Sequence, residues 1–295
     1  DNIRSMTKRG MLLPLLACAL SGQTRGIDDF FRDFTAQWVR GNPNLATSTR
    51  YFTGEEQDRL ERQLTPVTQA YKRERIQLAR SGLSELAKFD RGKLTGTQRV
   101  SADLMQWHLD TIAGEEPYLN DTFPLEQMNG VNIGLVEQLT VRHPLANERD
   151  AENYVAALGE AGVRMEEAIA ESRRLAGNHI IPPKFILTAT IKQMQGFADP
   201  SPGQNPFVSV LAQKMEAAKI PEARREALRA EAEKIVRTQV YPAWRKGIAT
   251  LEAQLPRSND DAGIWRLKGG ADAYNYFLRR YTTTNLTAEQ IHEIG

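Results

Sequence analysis

Apolar residues recur at helical spacing along most of the chain. The first predicted helix covers residues 27–40. Its apolar side consists of Phe30, Phe31, Phe34 and Trp38. Alternating patterns typical of strands are nearly absent, whereas Ala, Leu, Glu, Arg and Gln, which favour helices, are plentiful. The pattern therefore predicts an all-α fold, a multi-helix array of roughly eight to ten helices with little or no sheet.

Capping boxes mark several predicted helix starts. Thr53–Glu56 predicts a helix that continues to about Gly82, and Thr95–Gln98 predicts the next one. The apolar side of that next helix is expected to consist of Val100, Leu104, Trp107 and Thr111. Thr287–Gln290 opens a last helix, and the sequence stops at Gly295 after barely two turns. Because so short a helix is marginal alone, we expect the sequence to end within an element.

Segments that contain helix-breaking residues divide the middle of the chain into further predicted helices. Residues 116–134 contain prolines, glycines and asparagines, and this is the one place where loop chemistry is expected to line a cleft. Residues 147–177 predict two helices or one kinked helix. Residues 183–197 predict another helix. Its buried residues are expected to be Phe185, Ile186, Ala189 and Met194. Pro242 is expected to kink or split the long helical pattern that contains it.

Composition and charge narrow the class of protein. The 295 residues are 41% hydrophobic and 25% charged, which is typical of a soluble globular protein with a real core. The net charge is +1, so no overall field favours nucleic acid or an anionic membrane. We expect one helical domain over residues 27–295, with a possible subdivision near 199–206, the strongest linker composition in the chain.

The N-terminal residues, 1–26, have the pattern of an exported protein. Asp1–Ser5 resemble upstream read-through before Met6, and residues 11–20 form the apolar core of a signal peptide. The order Leu-Leu-Ala-Cys at Cys18 resembles a lipoprotein box, which makes Cys18 a candidate for lipidation. Cleavage after Ala19, which would discard Cys18, is the alternative and stays open. Either way we expect a periplasmic or outer-envelope location, with no membrane contact except through such an anchor.

The spacing of the four histidines predicts no zinc pair within a helix. None of the four has a second histidine one helical turn away. His292-Glu293 supplies four-fifths of an HExxH motif, in which two histidines bind zinc and the glutamate activates water. Gly295 would weaken the helix that this motif requires. We therefore interpret His292 as part of a surface pair on a helix.

The C-terminal run, residues 264–295, holds the candidate ligand-binding residues. Gly269-Gly270 precedes a predicted aromatic helix, and its backbone N–H groups could approach an anion at the helix N-terminus. An ordinary glycine turn is the alternative. The apolar spacing predicts a core stripe of Tyr274, Phe277, Leu278 and Tyr281. Tyr276, Arg279 and Arg280 lie off that stripe.

Several of these segments together resemble a known family. The motifs are W-R-L-x-G-G, A-Y-N-Y-F-L-R-R-Y-T-T-T and L-T-A-E-Q-I-H-E-I-G in the C-terminal run, with PLEQMNGV at 124–131, IIPP at 180–183 and NPF at 205–207. They resemble the bacterial domain-of-unknown-function 885 family, whose members are exported, often lipoproteins, and about twice this length. That family resembles zinc metallopeptidases of the Taq-carboxypeptidase type.

The resemblance implies a helical scaffold that forms one wall of a zincin-like cleft. It implies that zinc belongs to the full-length parent only, since the zinc-binding helix lies downstream of the segment that contains His292. It also implies that Gly269, Gly270, Tyr274 and Arg279 face the cleft and contact substrate. This conflicts with the core position that spacing predicts for Tyr274. The family often has a tyrosine pair where this chain has Ala273-Tyr274, which weakens any role that needs two phenols.

Two functions remain open on these grounds. In the first, the chain is the N-terminal part of an exported zinc metallopeptidase-like hydrolase, with a peptide substrate, no catalytic or metal residues of its own, and a missing C-terminal half. In the second, it is a non-catalytic helical envelope protein that binds peptides or protein partners. The sequence alone gives neither the substrate nor the oligomeric state.

Overall fold

The computed structural model describes residues 26–295, and every regular element in this range is a helix. The all-α prediction is therefore confirmed. The signal-peptide interpretation and Cys18 lie outside the described residues.

The first group of helices packs around two small hydrophobic clusters, of which the larger is rich in aromatic residues. Its members are α1 (Ile27–Arg40), α2 (Pro43–Thr49), α3 (Gly54–Glu61), α4 (Gln69–Leu86) and α5 (Gly96–Ala113). Helices α4 and α5 pack against each other, and α1 covers them. Phe30 and Phe34 are buried against Ala79 and Leu109. Helix α1 has the predicted bounds because Gly26 precedes it and Gly41 ends it.

The second group surrounds the main core. Its members are α6 (Val131–Glu137), α7 (Glu148–Leu158), α8 (Ala161–Gly177), α9 (Lys184–Ala198), α10 (Pro206–Ala217), α11 (Glu222–Ile235) and α12 (Tyr241–Glu252). Helix α12 lies between α8 and α9 and buries Trp244 and Leu251. Phe197 stacks on Trp244 with ring centroids 4.7 Å apart. The Tyr154 hydroxyl, which is fully buried, donates to the carbonyl of Phe207 at 2.8 Å.

The last described helices are α13 (Gly270–Thr282) and α14 (Ala288–Ile294), and a 3₁₀ turn at Ile264–Arg266 leads into α13. The predicted capping boxes at Thr95 and Thr287 are both formed, with each threonine and its glutamine bonded reciprocally. These two helix starts are therefore confirmed.

The long helical pattern that contains Pro242 is interrupted just before this proline. Helices α11 and α12 are joined by a π-helical turn at Val236–Val240, and Pro242 follows this turn near the start of α12. A π turn inserts one residue into the helical ladder and is a common way to accommodate a local break. Helix α6 likewise continues into a π turn at Gln138–Arg142.

The predicted helix from Thr53 to Gly82 is wrong. Helix α3 ends at Glu61, and an extended segment leads to α4, which Thr68 caps. Pro66 lies in this segment, and a proline disfavours helix at the residue before it. The Thr53 side chain makes no capping hydrogen bond, so the capping box expected there is absent.

Two helices present a different side to the core than their spacing predicts. On α5, Val100 and Leu104 are 60% and 64% exposed, whereas Ala102 and Leu109 are buried. On α9, Phe185 and Ala189 are exposed, and the buried side consists of Leu187, Thr190, Ile191 and Met194. In both helices apolar residues occur on more than one side, so the side that is buried depends on which neighbouring helices pack against it.

The predicted linker at 199–206 packs tightly against its surroundings. Asn205 is fully buried, accepts from the N–H of Phe207 and donates to the carbonyl of Phe197. Tyr241 donates to the carbonyl of Pro200 at 2.7 Å. Residues on both sides of the segment belong to the main core. A subdivision of the domain here stays a prediction.

Candidate functional site

Segments far apart in the sequence meet at a cleft of about 500 Å³. Its walls are the start of α4, the loop before α6, one side of α8 and the end of α13. The lining residues include Tyr71, Lys72, Phe123, Pro124, Glu126, Asn129, Val131, Glu171 and Tyr281. The predicted loop at 116–134 thus does line a cleft, although its last residues, from Val131, are already helical.

The loop wall is held in one conformation by its own backbone and by Glu126. The N–H of Val131 donates to the carbonyl of Pro124 at 2.8 Å. The carboxylate of Glu126 accepts from the N–H groups of Met128 and Asn129. A Cβ at Gly130 would lie 2.4 Å from the nitrogen of Glu126 and 2.6 Å from its carbonyl oxygen. Glycine at position 130 is therefore required for this close backbone approach.

The opposite wall carries a polar network. Gln69 donates to Glu171 at 2.7 Å, and Arg174 also donates to Glu171 at 2.7 Å. The hydrogen bond from Arg174 is the main reason that the pKa of Glu171 is lowered, and the charge of Lys72 contributes to the same effect. Glu171 is therefore an ionised, fully engaged side chain.

Lys72 lines the cleft and is available to interact with a ligand. It is half-buried and forms no ion pair within 4.0 Å with any residue between 26 and 295. Because Glu126 and Glu171 are both engaged by other donors, an ammonium group at this position can interact with a carboxylate or carbonyl oxygen of a ligand. Sequence reasoning missed Lys72, since no local motif distinguishes it from the other surface lysines.

The structure places the four predicted binding residues along α13 without bringing them to one point. Gly269 has φ of 77°, and a Cβ at Gly270 would lie 2.0 Å from the carbonyl oxygen of Ile264. Tyr274 follows Gly270 with an angular offset of only about 40° around the helix, whereas Arg279 lies about 140° from Tyr274. Arg279 instead lines a small pocket of about 120 Å³ with Asp110 and Tyr276.

The double glycine serves a tight turn. The N–H of Gly270 donates to the carbonyl of Leu267 at 2.9 Å, and Asp272 places a carboxylate in the first turn of α13. The alternative of an ordinary glycine turn thus describes the geometry of Gly270. An anion or substrate contact at Gly269, Gly270, Tyr274 and Arg279 stays a prediction.

The predicted core stripe on α13 is wrong for its two tyrosines, whereas Phe277 and Leu278 are half-buried. Tyr274 and Tyr281 are 47% and 79% exposed. The contact side holds Ala273, which is buried, and Tyr276, which stacks on Tyr118 with centroids 4.8 Å apart. Tyr276 also donates to the carbonyl of Thr111 at 2.9 Å. A phenol with a hydrogen-bond partner is favoured at this packed contact.

Arg280 is fixed beside Tyr276. It pairs with Glu115 at 3.1 Å. This contact joins the end of α13 to the segment that follows α5. Tyr276 and Arg280, which the spacing placed off the apolar stripe, are therefore the residues that dock the helix.

Arg266 joins two of the motif segments to the loop before α6. Its guanidinium donates to the carbonyl of Ile181 at 2.8 Å and lies 5.8 Å from the ring centre of Phe123. Burial lowers the pKa of Arg266, although the side chain remains charged at neutral pH. The segment at 264–270, the Ile-Ile-Pro-Pro segment and the loop before α6 are thereby held together.

The histidines do not gather into a metal site. Between residues 26 and 295, no three His, Cys, Asp or Glu side chains lie close enough together to hold a metal ion. His143 is buried, and its ring contacts the carbonyls of Glu61 and Pro144 at 3.1 and 3.0 Å. His292 lies exposed on α14.

The family model described as "Bacterial protein of unknown function (DUF885)" matches residues 43–295. The chain belongs to the DUF885 family. The match includes every motif on which the resemblance was based. Comparison with curated proteins gave no match.

Among solved structures, the chain is similar to one titled "The crystal structure of the putative lipoprotein from Colwellia psychrerythraea". The TM-score is 0.76 at 20% sequence identity, with 90% of this chain and 48% of that chain covered. The likeness supports the fold, and the DUF885 chain spans about half the length of that protein. None of the helices between residues 26 and 295 combines the length and the hydropathy that a membrane crossing needs.

Proposed function

We propose that this DUF885 chain is the N-terminal part of an exported zinc metallopeptidase-like hydrolase and forms the substrate-binding wall of its cleft. The observation that carries the proposal is that the motif at 124–131 and the aromatic motif of α13, through Tyr281, line one cleft together with Lys72. The fold of a solved protein about twice as long also supports it, as does that protein's description as a lipoprotein.

The described residues do not fit a zinc site, because they bring no set of three ligands together. In this proposal the zinc and its ligands belong to residues outside this sequence. We assign no catalytic step to the chain. Its contribution is to bind and orient a peptide in the cleft.

Within the cleft, Lys72 is the residue proposed to contact a substrate carboxylate or carbonyl oxygen, since both neighbouring carboxylates are engaged. Tyr274, on the same side of α13 as Gly270, is proposed to extend this wall. Arg279 belongs to the same proposal, although it lies on another side of the helix.

The test uses the full-length gene product. We expect about one zinc per chain and cleavage within a peptide library. The substitution Lys72→Met is expected to raise KM about tenfold with little change in kcat, since a binding contact made equally in ground and transition states affects KM alone. Lys234→Met removes an exposed lysine from α11 and is expected to leave both constants unchanged.

A full-length protein that holds no zinc and cleaves no peptide would overturn the hydrolase proposal. If that protein still binds peptides, and Lys72→Met weakens the binding, the result supports the second function, a helical envelope protein that binds peptides without catalysis.

A further inference from the structure

A second groove lies between α8 and α12, and none of its lining residues belongs to the motif segments. Its volume is about 350 Å³, which is within the range of small-molecule sites. Small residues, among them Ala176, Gly177 and Ala249, form its floor. Polar groups of a ligand can therefore approach the helix backbones closely.

The groove is strongly cationic. Arg173, Lys246 and Arg257 line it, and none of its lining residues is a carboxylate. Lys246 pairs with Glu166. Neither Arg173 nor Arg257 has an ion-pair partner within 4.0 Å in the described part of the chain. Two positive charges of the groove are thus left without compensation.

Both arginines are oriented and still have donors to spare. Arg173 donates to the hydroxyl of Thr250 at 3.0 Å, and Arg257 donates to the carbonyl of Ala176 at 2.8 Å. A guanidinium has five N–H donors, so each has several left for a ligand. These two bonds hold the side chains in the groove before a ligand binds, which reduces the entropy cost of binding.

A buried amide completes the groove. Gln254 is 4% exposed, and its amide bonds to the hydroxyl of Ser172 at 3.0 Å, while the second amide atom has no partner. A serine hydroxyl can donate or accept, so either orientation of the amide leaves one polar atom over. A buried polar atom without a partner is costly, which indicates that a ligand or water completes it.

We propose that this groove binds a phosphate monoester. Two uncompensated arginines match a dianion better than a single carboxylate, and the planar guanidinium binds phosphate oxygens in pairs. The spare amide oxygen of Gln254 accepts a hydrogen bond from a hydroxyl group of the ligand beside its phosphate. The proposal is independent of the peptidase function, because it uses none of the residues of the first cleft.

Calorimetric titration of the purified chain tests the site. The probes are glycerol 3-phosphate, inorganic phosphate and acetate, together with phosphatidylcholine vesicles with and without phosphatidic acid. We expect the phosphates to bind at least tenfold more tightly than acetate. Comparison of glycerol 3-phosphate with the vesicles decides whether a soluble ester or a lipid headgroup is the source of the phosphate.

Variants assign the binding to the groove. Arg173→Gln/Arg257→Gln is expected to weaken phosphate binding at least tenfold. The matched control, Arg73→Gln/Arg99→Gln, removes two exposed arginines from α4 and α5 and is expected to bind like the parent chain. Ala249→Glu places a carboxylate on the exposed floor while both arginines are retained, and it is expected to abolish binding even if the double variant fails to fold.

Equal binding by the parent chain, the double arginine variant and Ala249→Glu would overturn the proposal. The absence of phosphate binding by the parent chain would overturn it as well. An equal loss of binding in the matched control would also overturn it, since that result shows only general charge attraction.

Discussion

The carboxylate of Glu167 on α8 accepts a hydrogen bond of 2.9 Å from the backbone N–H of Val67, which lies 100 residues earlier in the chain. Glu160 accepts in the same way from the N–H of Leu64 at 2.7 Å. Glu171 accepts from the side chain of Gln69. Carboxylates at the start and along one side of α8 thus accept hydrogen bonds from the extended segment between α3 and α4, whose N–H groups have no helical partner.

Glu167→Ala is expected to lower the free energy of unfolding by about 1–3 kcal/mol, because it leaves the N–H of Val67 without a partner and breaks the ion pair with Arg164. Urea unfolding followed by circular dichroism measures the change. Glu166→Ala is the control, since that side chain is exposed and pairs only at the surface. A loss below about 1 kcal/mol is expected there. Equal losses in the two variants would contradict the anchoring role of Glu167.

Gly130→Ala is expected to destabilise the protein by about 1–3 kcal/mol, because the added Cβ would meet backbone atoms of Glu126 that have no room to move. Gly134→Ala is the matched control four residues later. No atom lies within 4 Å of a Cβ there, and alanine favours the helix, so a gain of about 0.5–1 kcal/mol is expected. Thermal and urea unfolding of both variants check the pair. An unchanged midpoint for Gly130→Ala would show that the loop has another conformation.

Tyr276→Phe is expected to lower the free energy of unfolding by about 0.5–1.5 kcal/mol, since it removes the hydroxyl that bonds to the carbonyl of Thr111 and keeps the stacking on Tyr118. Tyr274→Phe changes an exposed ring and is expected to have no measurable effect on stability. A larger loss of stability for Tyr274→Phe than for Tyr276→Phe would contradict this, and would favour the buried Tyr274 that spacing predicts for α13.

His143 is expected to make stability depend on pH. Burial lowers its pKa from the ordinary value of 6.5, so the unfolded chain binds this proton more readily than the folded one. The contribution of neutral His143 to the free energy of unfolding is fully present above that ordinary value. It is lost as pH falls through that value towards the lower pKa of the folded state. Urea unfolding from about pH 8 to about pH 5.5 is expected to give a shallower pH slope for His143→Gln than for the parent chain.

His179→Gln serves as the control for that series, because His179 is exposed in the connection between α8 and α9. It is expected to keep the parent slope. If His143→Gln also keeps the parent slope, other groups cause the pH dependence.

Local signals were reliable where they report on the backbone of one segment. The bounds of α1 and the helix starts at Thr95 and Thr287 follow from the chain itself, because caps and glycines act over a few residues. The break at Pro66 is a local signal of the same kind, since a proline disfavours helix at the residue before it. The family membership was visible in motifs that are specific as strings of residues.

The sequence by itself determined the helical class, most helix positions and the family. Only the tertiary structure decided which side of each helix is buried, as on α5, α9 and α13, and which residues from distant segments share a cleft. The physical reason is that capping and turn preferences are local interactions. Burial and the grouping of charged side chains depend on neighbours that the chain supplies many residues away. Lys72 and Glu171 line one cleft, and Arg173 and Arg257 line the other groove.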